Sequence, residues 1–186
     1  MNRCGERMTD SLEEPSFDLT HEFSDFEIRR YADTVQARVQ TSGRGGGAPS
    51  GGFRRVAGYI FGGNKQRASI AMTAPVSMWE EEGSGWLAFT MPSAYSLTSL
   101  PEPNDEGVRL VAHPGAMVAV KRFTGRTTPK KTERIERTLR AAAEREGYRC
   151  VGPPVLAVYE NPWTTLPFRR RNEIHVEIEP IGPLPS

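Results

Sequence analysis

Hydrophobic positions alternate along most of this chain and take a helical spacing in only two stretches. Phe26, Ile28 and Arg30 alternate with Glu27, Arg29 and Tyr31. After the turn-prone Ala32-Asp33-Thr34, the residues Val35, Ala37 and Val39 alternate with Gln36, Arg38 and Gln40, which predicts two strands. Phe53, Val56, Ala57, Ile60 and Phe61 then recur at i, i+3, i+4, i+7 and i+8, one face of a helix, and Gly62-Gly63 supplies the positive-φ residue that ends it. Period two returns at Ile70, Met72, Ala74, Val76 and Met78. Further strands are expected at Trp86–Met91, Val108–Ala112, Met117–Phe123, Val155–Tyr159 and Asn172–Ile178. A second helix, with Thr128 as N-cap and Pro129 at its first position, carries Ile135, Leu139, Ala142 and Ala143 as its buried stripe and stops at Gly147.

An internal repeat underlies this order. Val35-x-Ala37-x-Val39 leads through Gly43 to a helix and on to Ala74-Pro75-Val76. Val118-x-Val120 leads through Gly125 to a helix and on to Pro153-Pro154-Val155. Each half reads strand–strand–helix–strand–strand. The expectation is an antiparallel α+β domain with two helices packed on a curved sheet or open barrel, leaving a groove between helices and sheet of the kind that small molecules occupy.

Composition narrows the function classes. The chain of 186 residues is 37% hydrophobic and 25% charged with a net charge of +1, which fits one globular domain and gives no basic field for nucleic acid. No run is long and apolar enough to span a membrane, and the acidic first twenty residues suit neither a secretory nor an organellar leader. Residues 1–20 read as a flexible tail, 21–180 as the domain and 181–186 as a Pro-rich tail. Together these predict a cytoplasmic monomer. Cys4 and Cys150 form no disulfide framework, so both are expected as free thiols. Gly43–Gly52 is glycine-rich but lacks the phosphate-loop spacing and reads as a linker, with Ser50 as N-cap of the helix that follows.

Catalytic chemistry finds no purchase in the pattern. His21, His113 and His175 stand apart from any nucleophile–acid arrangement, and no His/Cys cluster has metal-site spacing. His175 alternates with Ile174 and Val176 and should face away from them. Glu160 and Glu173 are the one pair available for acid–base work, and an Arg-paired or solvated role is the expectation for both. Arg170 and Arg171 are candidate partners of Glu173.

Six segments carry a resemblance: FEIRRY (26–31), GYIFGGN (58–64), IAMTAPV (70–76), FTMPSAYSLTSLPEPND (89–105), VYENPWT (158–164) and RRNEI (170–174). In this order and spacing they resemble the SOUL/heme-binding protein family. The resemblance implies a distorted antiparallel β-barrel made of two pseudo-symmetric strand–helix–strand halves and flanked by two α-helices. It also implies heme or a related tetrapyrrole as ligand, bound reversibly in an apolar groove beside helix 52–61. The position of a histidine proposed as iron ligand in some members is Arg30 here, so the metal-ligating residue stays open. Basic groups toward the propionates are available at Arg54, Arg55, Lys65 and Arg67 and in the loop at Arg169–Arg171; an arginine fork suits a carboxylate. The ligand-binding set expected from the resemblance is Arg54, Arg55, Ala57, Gly58, Phe61, Lys65 and Arg170. Gly58 inside a helix implies close approach, of the sheet or of a flat ligand, with the sheet the first expectation. The same scaffold also suits an effector-binding or protein-interaction module for other apolar ligands, and less readily a hydrolase.

Overall fold

A computed structural model describes residues 12–41, 51–160 and 165–182. Cys4, Ser50, the 43–50 part of the linker, the 161–164 part of VYENPWT and the last four residues lie outside them. The chain runs β1 (Phe17–Glu22), β2 (Glu27–Tyr31), β3 (Thr34–Thr41), α1 (Gly51–Ile60), β4 (Val76–Glu81), β5 (Ser84–Thr90), β6 (Arg109–His113), β7 (Met117–Thr124), α2 (Pro129–Arg145), β8 (Tyr148–Val158) and β9 (Arg171–Pro180), with a short 3-10 turn at Pro167–Arg169. The strands form one antiparallel sheet in the order β1-β2-β7-β9-β8-β4-β5-β3-β6.

Two halves meet where β4 pairs β8. One contains β4, β5, β3 and β6, the other β8, β9, β7 and β2. The repeat is therefore present with an exchange: the first strand of each predicted half joins the other half's quartet, β2 against β7 and β6 against β3. The expected barrel is corrected to an open sheet. β1 and β6 each have a single partner. β6 is only five residues long and the β1 ladder is shifted between Leu19 and His21, both features that blunt a sheet edge. β1 takes residues 17–20 out of the stretch read as a tail, because Phe17 pairs with Tyr31 and the strand is part of the sheet.

Both helices pack on one face. Val56 and Ile60 of α1 pack on Val39, Leu87 and Phe89, and Ile135, Leu139 and Ala143 of α2 pack on Ile28 and Val176, all buried. Pro129 opens α2 as expected; Thr128 contributes its carbonyl to the N–H groups of Lys131 and Thr132, and its hydroxyl makes no cap bond. Gly62 and Gly147 take the positive φ that ends each helix, 102° and 84°. The segment 70–75 keeps its apolar residues buried at Ile70 and Ala74 but is not strand. Its groups are tied instead by Ile70 N–H to the Ile60 carbonyl and the Thr73 hydroxyl to the Thr90 carbonyl. No described helix is long and apolar enough to cross a membrane.

Candidate functional site

The GYIFGGN segment divides between fold and surface. Tyr59, Ile60 and Asn64 point inward and are buried. The Tyr59 hydroxyl donates to the Pro101 carbonyl at 2.9 Å, and burial pushes its pKa up to about 12. Asn64 clamps the loop after α1: its amide donates to the carbonyls of Tyr59 and Ala68, and its oxygen accepts the Ala68 N–H at 3.0 Å. Gly58 and Phe61 face outward, Phe61 with 67% of its surface exposed. A side chain at Gly58 would meet nothing within 4 Å, so the sheet does not approach it and that expectation is overturned. Arg54, Ala57 and Gly58 of α1 and Phe61, the residue just past its end, stand at i, i+3, i+4 and i+7 and form one stripe, the Phe61 N–H still donating to the Ala57 carbonyl at 3.0 Å. The stripe offers an exposed cation, a bare patch of helix and an aromatic ring.

The other expected site residues lie as follows. Arg55 is held by a two-pronged ion pair, its Nε and a terminal nitrogen donating to Asp105 at 2.7 and 2.6 Å. The hydrogen bond from Arg55, with a second from the Gly107 N–H, draws the Asp105 carboxyl down to about 2. A side chain at Gly107 would displace the Arg55 guanidinium from this position. Lys65 is exposed, its backbone N–H donating to the Glu102 carbonyl. Arg170 donates from Nε to the Thr165 carbonyl at 2.8 Å.

The opposite face of the sheet holds a feature that sequence reasoning missed. Residues alternating with the two cores line a cavity of about 360 Å³, among them Gln36, Arg38, Trp79, His113, Tyr159 and His175. None of the expected site residues borders it. Behind its wall Glu173 is buried at 1% exposure and accepts five hydrogen bonds. Two come from Arg29 (3.0 and 3.2 Å) and one each from Arg122 (3.1 Å), Tyr159 (2.6 Å) and His175 (2.8 Å). Burial alone would raise the carboxyl pKa; the bonds from His175, Arg29 and Tyr159 outweigh it and hold Glu173 well below the usual range. Burial and the Glu173 charge push the Tyr159 hydroxyl up. Arg29, 1% exposed, also reaches Glu27 at 2.7 Å and lies over the Phe17 ring. The partners of Glu173 are thus Arg29 and Arg122; Arg171 turns instead to Glu14 and stacks on Tyr159 at 3.7 Å, and Glu160 accepts the Arg171 backbone N–H. The signal in the sequence was the alternation Glu27-x-Arg29-x-Tyr31 and Glu173-x-His175, charges recurring on one strand face. As expected, His175 faces away from buried Ile174 and Val176.

A second cavity of about 360 Å³ lies on the helix side, between the first half of α2 and the β4–β5 hairpin. Its floor is Met78, Leu87, Leu156 and Ile174, and Glu81, Glu133 and Glu136 are among its walls. No residue of α1 borders it. Among the described residues no cluster of His, Cys, Asp or Glu could hold a metal ion.

The family model for SOUL heme-binding protein matches residues 12–177. No curated protein matches the chain by sequence. Among solved structures, an uncharacterized conserved protein from Listeria innocua superposes with a TM-score of 0.66 at 11% identity, covering 83% of this chain and 92% of that one. A hydrolase from Listeria innocua gives 0.60 at 11%, covering 86% and 94%. The C-terminal domain of EcmrR gives 0.58 at 9%, covering 83% and 97%. At such identities the likeness is one of fold.

Proposed function

The chain belongs to the SOUL heme-binding protein family, and on that premise we propose that it binds heme or a related tetrapyrrole reversibly, without consuming it, on the outward stripe of α1. The observation that carries this reading is the exposed Phe61 ring one turn from the open backbone at Gly58. A flat macrocycle can lie against a helix where no Cβ projects, with its face on the phenylalanine. Arg54, exposed at the other end of the stripe, faces a propionate. Lys65 and Arg170 are the further cations of the reading, and Arg55 joins only by leaving Asp105.

None of the three histidines lies on α1. His21 is in β1, and His113 and His175 line the cavity on the far face of the sheet. The stripe supplies ring contact and a cation, and the reading needs no imidazole. It is also a reading of binding rather than turnover: Glu173 is buried at 1% exposure and both its oxygens are occupied by donors from the protein.

Titration with hemin and with metal-free protoporphyrin tests this. Both should bind saturably, because contact with the ring and not with iron holds them. Phe61→Ser should weaken both by about ten-fold or more, the worth of one buried aromatic contact. Unchanged affinity in that variant would remove α1 from the site.

A further inference from the structure

The cavity on the far face of the sheet has a chemistry of its own, centred on Arg38. This half-buried side chain donates from Nε to Gln36 at 2.9 Å and from a terminal nitrogen to His113 Nδ1 at 3.0 Å, and its guanidinium lies 5.3 Å from the Trp79 ring centre. All three partners are neutral. Among the described residues no carboxylate oxygen comes within 4.0 Å of it. Two of the five guanidinium N–H groups are used in this way, and among the described residues the other three have no hydrogen-bond partner. A cation drawn out of water is ordinarily paired, as Arg29 is with Glu173. Burial accordingly lowers the Arg38 pKa, and the more distant Glu81 only partly offsets that.

His113 adds a second donor. Its Nδ1 accepts from Arg38, so the neutral ring carries its proton on Nε2. Burial, and then the Arg38 charge, lower its pKa and favour that neutral form. The carboxylates that border the cavity, Glu14, Glu81 and Glu177, are all exposed. Glu14 is paired with Arg171, and Glu81 accepts the Trp79 indole N–H at 3.4 Å. The positive group is thus inside and the negative groups are at the rim, with Trp79, Tyr31 and Tyr159 as aromatic walls.

We propose that this cavity binds a small aromatic carboxylate, its carboxylate on the free N–H groups of Arg38 and its ring against Trp79. The volume is near the lower end for small-molecule sites, which run from about 300 Å³, and suits one or two rings. This site is separate from the α1 stripe, and its occupant is not the tetrapyrrole.

The probes are 2-naphthoate and its neutral counterpart 2-naphthamide, followed by quenching of tryptophan emission. Naphthoate should saturate, and the amide should bind about ten-fold more weakly or worse, the scale of a hydrogen bond to a charged group. Arg38→Gln should bring naphthoate down to the amide's affinity and leave hemin binding unchanged. Equal affinity for the two probes, no saturation by either, or full naphthoate binding by the variant would each overturn the proposal. The probe comparison uses the unmodified protein, so it decides even if the variant unfolds. A hemin failure on the α1 stripe would leave this result standing, and the reverse.

Discussion

The two halves of the sheet are built to one register and filled with opposite chemistry. Ala37 on β3 faces Leu110 and Phe89, and Ala119 on β7 faces Ile28 and Val176. Setting those alanines equivalent places Glu27, Arg122 and Glu173 of one half on Arg109, Gln40 and Trp86 of the other. In the α2 half these positions close a buried ion network with Arg29. In the α1 half they hold no carboxylate and one indole: Trp86 stacks on Trp79 with 6.3 Å between ring centres, and Arg109 and Arg38 lie against this pair. One half spends its charges on itself and gains rigidity. The other keeps cations beside aromatic faces, where a ligand's ring and carboxylate can replace water. The outward stripe of α1 belongs to that same half.

The sharpest way to break the contrast is Glu173→Gln. The amide keeps one acceptor oxygen and turns an NH₂ toward donors, so Arg29 loses its buried counter-charge and keeps only the more exposed Glu27. The expected loss is about 3–5 kcal/mol in urea unfolding, as for other broken buried pairs. Trp86→Leu at the equivalent place strands no charge and should cost about 1 kcal/mol. Comparable losses would mean that both halves are held alike. Acid should separate them too. The folded pKa of Glu173 lies below its ordinary 4.5, so between the two values the unfolded chain binds more protons. Its contribution is complete above about 4.5 and is lost as pH falls toward the lower folded value. Unfolding curves at descending pH should show this drop in the parent and lack it in Glu173→Gln.

How much of this was legible depended on distance along the chain. Both helices could be placed because a helix reports its buried face within a few residues: Val56 and Ile60 for α1, Ile135, Leu139 and Ala143 for α2. Strands between them followed from alternation. β1 was not recognised, since its residues at the sheet edge are mostly exposed and carry no clean alternation. The first residues of 70–78 mimic a strand because Ile70 and Ala74 are buried by a loop. Phe61 and Gly58 could be named from the sequence, but the helical spacing put Phe61 on one face with Phe53, Val56, Ala57 and Ile60. Only the packing of α1 shows that its core side is Val56, Tyr59 and Ile60. Arg29 and Glu173 are separated by 144 positions, and no local pattern joins them. Arg38 is recognised only by what it lacks among the described residues, a carboxylate partner, which is a property of the folded sheet.

Gly58→Ala sharpens the contrast within α1. The added Cβ enters open space and the backbone there is ordinary helix, so replacing an interior glycine should raise stability by about 0.5–1 kcal/mol. The same methyl group stands where the macrocycle is to lie, so hemin affinity should fall as the melting temperature rises. A structural glycine would show the two moving down together. A variant more stable and equally good at binding hemin would mean that the ligand never touches this turn.

The smallest expected effect lies at the other edge of the helix. Arg55 and Asp105 form a well-aligned pair, yet both side chains are about two-fifths exposed, 39% and 41%, so water screens most of its worth. Asp105→Asn should cost less than about 1 kcal/mol at neutral pH. Because the folded Asp105 pKa of about 2 lies below the ordinary 3.8, even that contribution is lost as pH falls from 3.8 toward 2. In hemin binding the order is informative. Arg55→Ala should weaken hemin less than Arg54→Ala, since Arg55 is already committed to a carboxylate and must break that pair to reach another. Asp105→Asn should release it and leave hemin affinity equal or slightly higher. A loss of several kcal/mol in Asp105→Asn would show that α1 is pinned by charge as the other half is, and the division between a rigid half and a receptive one would not hold at this helix.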